Sequence, residues 1–172
     1  LGDGNYIAEP AYTTNAAGFT FHNWYGFGRI DVAAAVSMAE TMTPNNLGAF
    51  TETAYASSGT INLDIPDNST VGAVSTITDS NGLVIEAIKL LVTASHTFSG
   101  DLGVELISPS ETRSVLFTIR NGFSESDDLD FELLSNAFYG ENSAGAWTIK
   151  IVDGAAGNVG GLSSWGLQIY GH

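Results

Sequence analysis

The spacing of apolar residues changes once along the chain, near residue 51. From Asp31 the sequence reads DVAAAVSMAETM, with Val32, Val36 and Ala39 near i, i+4 and i+7, so one amphipathic helix is predicted to end near Met42. Asp31 is its N-cap candidate, and Ala is the strongest helix former. The TPNNLG that follows, with Pro44 and Gly48, stops the helix and opens a linker. A helix of about twelve residues is marginal alone in water, so its apolar face needs a surface to lie on. Residues 1–27 are rich in Gly, Asn and Thr and carry neither a helical nor a strand period. They read as irregular chain that belongs to a larger body.

Beyond Thr51 the period becomes two, which predicts half-buried strands. Ile61, Leu63 and Ile65 share a face, as do Ile88, Leu90 and Val92, then Leu102, Val104 and Leu106, then Val115, Phe117 and Ile119. Trp147, Ile149 and Ile151 follow, and finally Trp165, Leu167 and Ile169. Turn signals separate them at Pro66-Asp67-Asn68, Asn81-Gly82, Ser99-Gly100-Asp101, Pro109-Ser110, Asn121-Gly122 and the Gly-rich residues 153–161. Short strands with no helix between them predict an all-β antiparallel sandwich of jelly-roll type, preceded by an irregular segment and one helix. The division expected is 1–42, 43–51 as linker, and 52–172 as the sandwich.

Composition narrows the partners. Five Lys and Arg stand against nineteen Asp and Glu, a net charge of -14, so phosphate backbones and anionic lipid are repelled; no nucleic-acid or membrane partner is expected. No apolar run approaches the roughly 20 residues that cross a bilayer, and residues 1–10 lack the form of a signal peptide. The absence of Cys excludes disulfides, thiolate zinc sites and a Cys nucleophile.

Two stretches resemble a known family. NAAGFTFHNWYGFGRIDVAAAVSMAE, residues 15–40, resembles the end of a subtilisin-type catalytic domain: a Gly-Phe-Gly turn, an aliphatic residue and Asp, then an Ala-rich helix. IPDN, HTFSGDLGVELISPSETRSVL, YGENSAGAWTIKIVD and GGLSSWGLQIYG are similar to the motifs of the P domain of proprotein convertases, kexins and their bacterial relatives, over residues 60–172. The resemblance implies a jelly-roll sandwich that packs on a catalytic domain and supports its folding and stability. It also implies a secreted or periplasmic protein. One departure stands out: where SPSGT is usual, Ser108-Pro109-Ser110-Glu111-Thr112 puts Glu at the Gly position, which would be strained in a left-handed turn, so a different loop is expected there.

No catalytic residue is expected in this chain. A serine protease needs a nucleophile, a His base and an orienting acid, and the family's Gly-Thr-Ser motif does not occur; the triad is expected upstream. Of the imidazoles His22, His96 and His172, none has the flanks of a catalytic base, and His96 in His-Thr-Phe reads as a structural hydrogen-bonding residue. Asp67, Asp101 and Asp153 sit at strand-to-turn junctions. Their structural reading is turn stabilisation; their functional reading is a structural Ca²⁺ site, because calcium takes six to eight hard oxygens from loop carboxylates and carbonyls. Asp79-Ser80-Asn81-Gly82 reads as a hairpin turn, and the acidic run of Glu125, Asp127, Asp128, Asp130 and Glu132 as a solvated loop.

Tyr139, Trp147, Trp165 and Tyr170 raise the alternative of a carbohydrate- or protein-binding sandwich module. Trp147 and Trp165, however, fall in line with the core positions. Phe98, Phe138 and Tyr139, near turns, are the candidates for an exposed contact. The function expected is a non-catalytic P domain of a subtilisin/kexin-like serine endopeptidase. Its partner is its own upstream catalytic domain, through which protein substrates are reached.

Overall fold

A computed structural model describes residues 11–43, 46–120 and 127–172. Expectations placed on residues 1–10, Pro44, Asn121-Gly122 and Glu125 fall outside them, as do the side chains of Asp127 and Asp128.

A two-stranded ribbon, β1 (Thr13–Thr14) with β2 (Thr20–Phe21), opens the described chain and is followed by the helix α1 (Val32–Thr41). Asp31 caps α1 through Oδ1, which accepts from the Ala34 N–H at 2.9 Å, and Met42 closes it in an extended conformation. Both ends lie where the sequence puts them. The apolar face does not: no residue of α1 is buried.

The rest is a sandwich. β3 (Thr51–Glu52), β4 (Ala56–Ser57) and β5 (Leu63–Ile65) pair with the long last strand β12 (Gly160–Gly171). β12 pairs with β7 (Ile85–His96), and β7 with β10 (Asp127–Ser135), which completes one sheet in the order β5-β12-β7-β10. The facing sheet runs β6 (Ser69–Asp79), β11 (Gly145–Asp153), β8 (Leu102–Ile107), β9 (Arg113–Phe117). Every pairing is antiparallel, and from β5 to β12 each connection crosses between sheets except the β8–β9 hairpin. This is the jelly-roll topology, two interleaved Greek keys.

The core lies between the sheets. Ile88, Leu90 and Val92 meet Leu102, Val104, Leu106, Trp147, Ile149, Ile151, Trp165, Leu167 and Ile169, all buried. Trp147 donates from Nε1 to the Ser143 carbonyl at 2.8 Å, and Trp165 from Nε1 to Ser75 Oγ at 2.9 Å, so each indole is buried with its polar edge satisfied.

Four local expectations are corrected. Val115, Phe117 and Ile119 do not share a face: Val104 pairs with Phe117 and Glu105 with Val115, so Leu116 is an extra residue in β9. That bulge turns Phe117 toward the main core and leaves Val115 and Ile119 in a small cluster with Val152. The acidic run is no loop from Asp127 onward. In β10 Leu129, Phe131 and Leu133 pack against the core while Asp130 and Glu132 point to water, and the charge on this outermost strand discourages pairing with another chain. Asn81-Gly82 is not a hairpin, because β6 and β7 belong to different sheets. The turn is instead held by Asp79, which accepts from the Asn81 backbone and side chain. Finally, Glu111 keeps the left-handed turn, with φ of 65°, between Ser108 and Thr112, whose backbones bond at 2.9 Å. The hairpin geometry prevails over the cost of a side chain there.

Candidate functional site

Residues 11–29 are fastened to the sandwich by polar side chains. Asn15 is buried; its Nδ2 donates to the carbonyls of Ala137 and Tyr139, both at 2.9 Å, and its Oδ1 accepts from the N–H groups of Ala17 and Phe19. Thus one amide side chain folds its own turn and ties it to residues more than a hundred positions away. Glu141, also buried, is the second fastener. Oε1 accepts from the Ala16 N–H at 3.0 Å and from Thr112 Oγ1, and Oε2 accepts from Ser108 Oγ at 2.7 Å. Asn23 Nδ2 adds a bond to the Val115 carbonyl at 2.7 Å on edge strand β9. A buried carboxylate is tolerated because donors surround it.

Aromatic contacts extend this clasp. Phe19 meets Tyr139 edge-on at 5.0 Å, Phe27 meets Tyr139 at 5.8 Å, and Phe21 joins the buried core. Tyr139 remains 37% exposed, as expected of a contact residue. Phe138 does not: it is fully buried, edge-on to Trp147 at 5.1 Å, because the turn after β10 sends Phe138 inward and Tyr139 outward. Phe98 is half-buried.

Beyond the clasp, the chain leaves the sandwich. Ile30, Val32, Val36, Met38 and Met42 lie on or beside α1 and are exposed, Ile30 by 84% and Met38 by 69%. Large apolar side chains in water, on an element joined to a well-packed body, are the kind of exposure that accompanies contact surfaces.

Asp67, Asp101 and Asp153 lie elsewhere: Asp67 in the turn joining β5 to β6, Asp101 between β7 and β8, and Asp153 at the end of β11. Asp67 accepts from the Gly157 N–H at 3.0 Å, Asp101 Oδ2 accepts from Asn158 Nδ2 at 3.0 Å, and Asp153 Oδ1 accepts from the Ala155 N–H at 3.0 Å. The Gly154 N–H reaches the Asp101 carbonyl at 2.8 Å. The three carboxylates therefore share one end of the sandwich and each stabilises a turn. Among the described residues no group of three His, Asp or Glu side chains converges as a cation site requires.

His96 stands beside Asp153, with Nε2 3.4 Å from Oδ2 and both side chains wholly buried. Such an imidazole is out of reach of any substrate. His22 stacks on Tyr25 at 4.8 Å, and His172 Nδ1 lies 3.2 Å from Glu86 Oε1. On the outer face of the β5-β12-β7-β10 sheet, Lys89 is held above the ordinary lysine range by its hydrogen bonds to Tyr55 and then Glu132.

The sequence profile of the proprotein convertase P-domain matches residues 85–169. The sandwich carries a proprotein convertase P domain. Such P domains are C-terminal domains of subtilisin/kexin-like serine proteases. The extracellular serine protease of Aeromonas sobria is 30% identical over 92% of this chain and 31% of its own length, and kexin of Saccharomyces cerevisiae 29% over 95% and 21%. In solved structures, the Aeromonas sobria protease in complex with its chaperone superposes with a TM-score of 0.86 at 28% identity, covering 95% of this chain and 34% of that one. The chain thus spans between about a fifth and about a third of the length of these relatives.

Asn15 and Glu141 were not foreseen. Glu141 sits inside the YGENSAG motif, and its signal was a lone carboxylate among small residues. Its donors, Ser108, Thr112 and Ala16, are remote in sequence.

Proposed function

We propose that this chain is the C-terminal portion of a secreted subtilisin/kexin-like serine endopeptidase, in which the P domain docks on the upstream catalytic domain and stabilises it. One observation carries this reading: α1 leaves its whole apolar face in water while the residues just before it are clasped to the sandwich. A short helix with that composition needs a packing partner, and the clasp fixes the sandwich next to whatever body the helix belongs to. Secretion is supported by the relatives, one of which is named as extracellular.

Docking needs no tight intrinsic affinity. The linker keeps the two bodies at high effective concentration, so modest apolar burial suffices, at about 25 cal/mol per Å². The chemistry belongs to the catalytic domain; the P domain raises the fraction of molecules that fold and stay folded.

The test compares the full-length protein with a version ending before residue 52, by active-site-titrated turnover and rate of thermal inactivation. The expected outcome is a lower yield of active enzyme and faster inactivation, with unchanged turnover per titrated site. A truncated enzyme that matures and survives heating like its parent overturns docking and leaves substrate binding as the role of the sandwich.

A further inference from the structure

The contact between His96 and Asp153 joins the two sheets, since His96 ends β7 and Asp153 ends β11. Nδ1 of His96 lies 2.7 Å from the Phe98 carbonyl oxygen and 3.2 Å from the Phe98 nitrogen. These contacts make opposite demands on the ring, and the shorter decides between them: an oxygen at 2.7 Å requires a proton on Nδ1. Nε2 then faces Asp153 Oδ2 at 3.4 Å in a compartment with no solvent exposure. Neither atom has a hydrogen-bond partner elsewhere among the described residues. With a bare lone pair on Nε2, an imidazole nitrogen and a carboxylate oxygen would face each other without a donor between them, an arrangement that a low-dielectric interior penalises.

We propose that His96 is held as the doubly protonated imidazolium and that, with the Asp153 carboxylate, it forms a buried ionic latch closing this end of the jelly roll. The latch fastens the turn after β7 to the loop before β12. Around it the Thr97 N–H donates to the Val159 carbonyl at 3.0 Å, the Gly154 N–H to the Asp101 carbonyl at 2.8 Å, and the Arg120 N–H to the Gly100 carbonyl at 2.7 Å. The walls leave no room for a substitute: a Cβ at residue 160 would collide with the Ser95 carbonyl and the His96 ring, so Gly160 is required there. The other carboxylates at this end, Asp101 on Asn158 and Asp67 on Gly157, bond to the same β11–β12 loop.

A buried pair of this kind makes the corner specific. Removing one partner leaves the other charged and buried, so the local structure opens. Nitrogen-15 correlation spectra of the folded 172-residue chain at neutral pH read the protonation state directly. The expected result is a His96 ring with both nitrogens protonated. Asp153→Asn is expected to remove that signature and to speed amide exchange at Thr97, Gly154 and Ala155 by about tenfold or more, while Leu83 and Ser143, at the other end of the sandwich, change little. A ring with one unprotonated nitrogen in the parent chain overturns the proposal. So does an Asp153→Asn variant whose exchange at the three corner amides matches the parent. Where Asp153→Asn does not fold, the spectrum of the parent decides alone.

Discussion

The sandwich and the segment that leads into it use apolar residues in opposite ways. In the sandwich, Trp147, Ile149 and Ile151 face Trp165, Leu167 and Ile169, and all are withdrawn from water by the chain itself. In the segment, Val32, Val36 and Met38 are as apolar but stay exposed. Between these extremes lies the clasp, where residues 15–27 are joined to the sandwich mainly by Asn15, Asn23 and Glu141. The difference separates a body that supplies its own core from an element that leaves its apolar side chains exposed.

The sharpest break of this comparison is Trp147→Ala. It empties the centre of the sandwich, removes the edge-on contact with Phe138 and strips the Ser143 carbonyl of its donor. The expected cost is about 3–5 kcal/mol in urea unfolding of the chain. Glu141→Ala comes next. It takes the acceptor away from the buried Ser108 and Thr112 hydroxyls and leaves the Ala16 N–H only its 3.1 Å bond to Thr112 Oγ1, for an expected loss of about 2 kcal/mol. Limited proteolysis should then cut within residues 15–29 well before the sandwich. Simultaneous cutting throughout would mean that the clasp and the sandwich are one cooperative unit.

Glu111→Gly is expected to act in the other direction, raising stability by about 1 kcal/mol, because φ of 65° is costly for a residue with a Cβ. A thermal melt that falls would show that the Glu111 side chain contributes more than its turn costs. The smallest effect is expected for Val36→Ser with Met38→Ser: within about 0.5 kcal/mol for this chain, since neither side chain is packed. The same pair in the full-length protein should hasten thermal inactivation. Silence in both settings would remove the docking surface from α1.

Much of the sandwich was legible because strand period and turn chemistry act locally. Four of the six apolar triads lie in the core as spaced, and Asp31 caps its helix. Strand β6 escaped notice because it has no clean alternation: Val71 and Val74 are exposed, Ala73 and Ile77 buried, and Gly72, with φ of 68°, approaches the Ile151 carbonyl too closely for any Cβ. In β10 the charges concealed a regular inward row of Leu129, Phe131 and Leu133. The β9 bulge could not be read from β9 alone, since it is a property of pairing with β8.

The sequence by itself determined the helix and its cap, most strands, the acidic field and the likeness to P domains, because each rests on neighbours a few residues apart or on composition. Tertiary structure decided which side chains belong together. Asn15 meets Ala137 and Tyr139, Glu141 gathers Ser108, Thr112 and Ala16, and His96 faces Asp153 across two sheets. Such pairings depend on strand order and on the crossings between sheets, and a polar residue shows its role only when the partner that makes its burial tolerable is brought within about 3 Å.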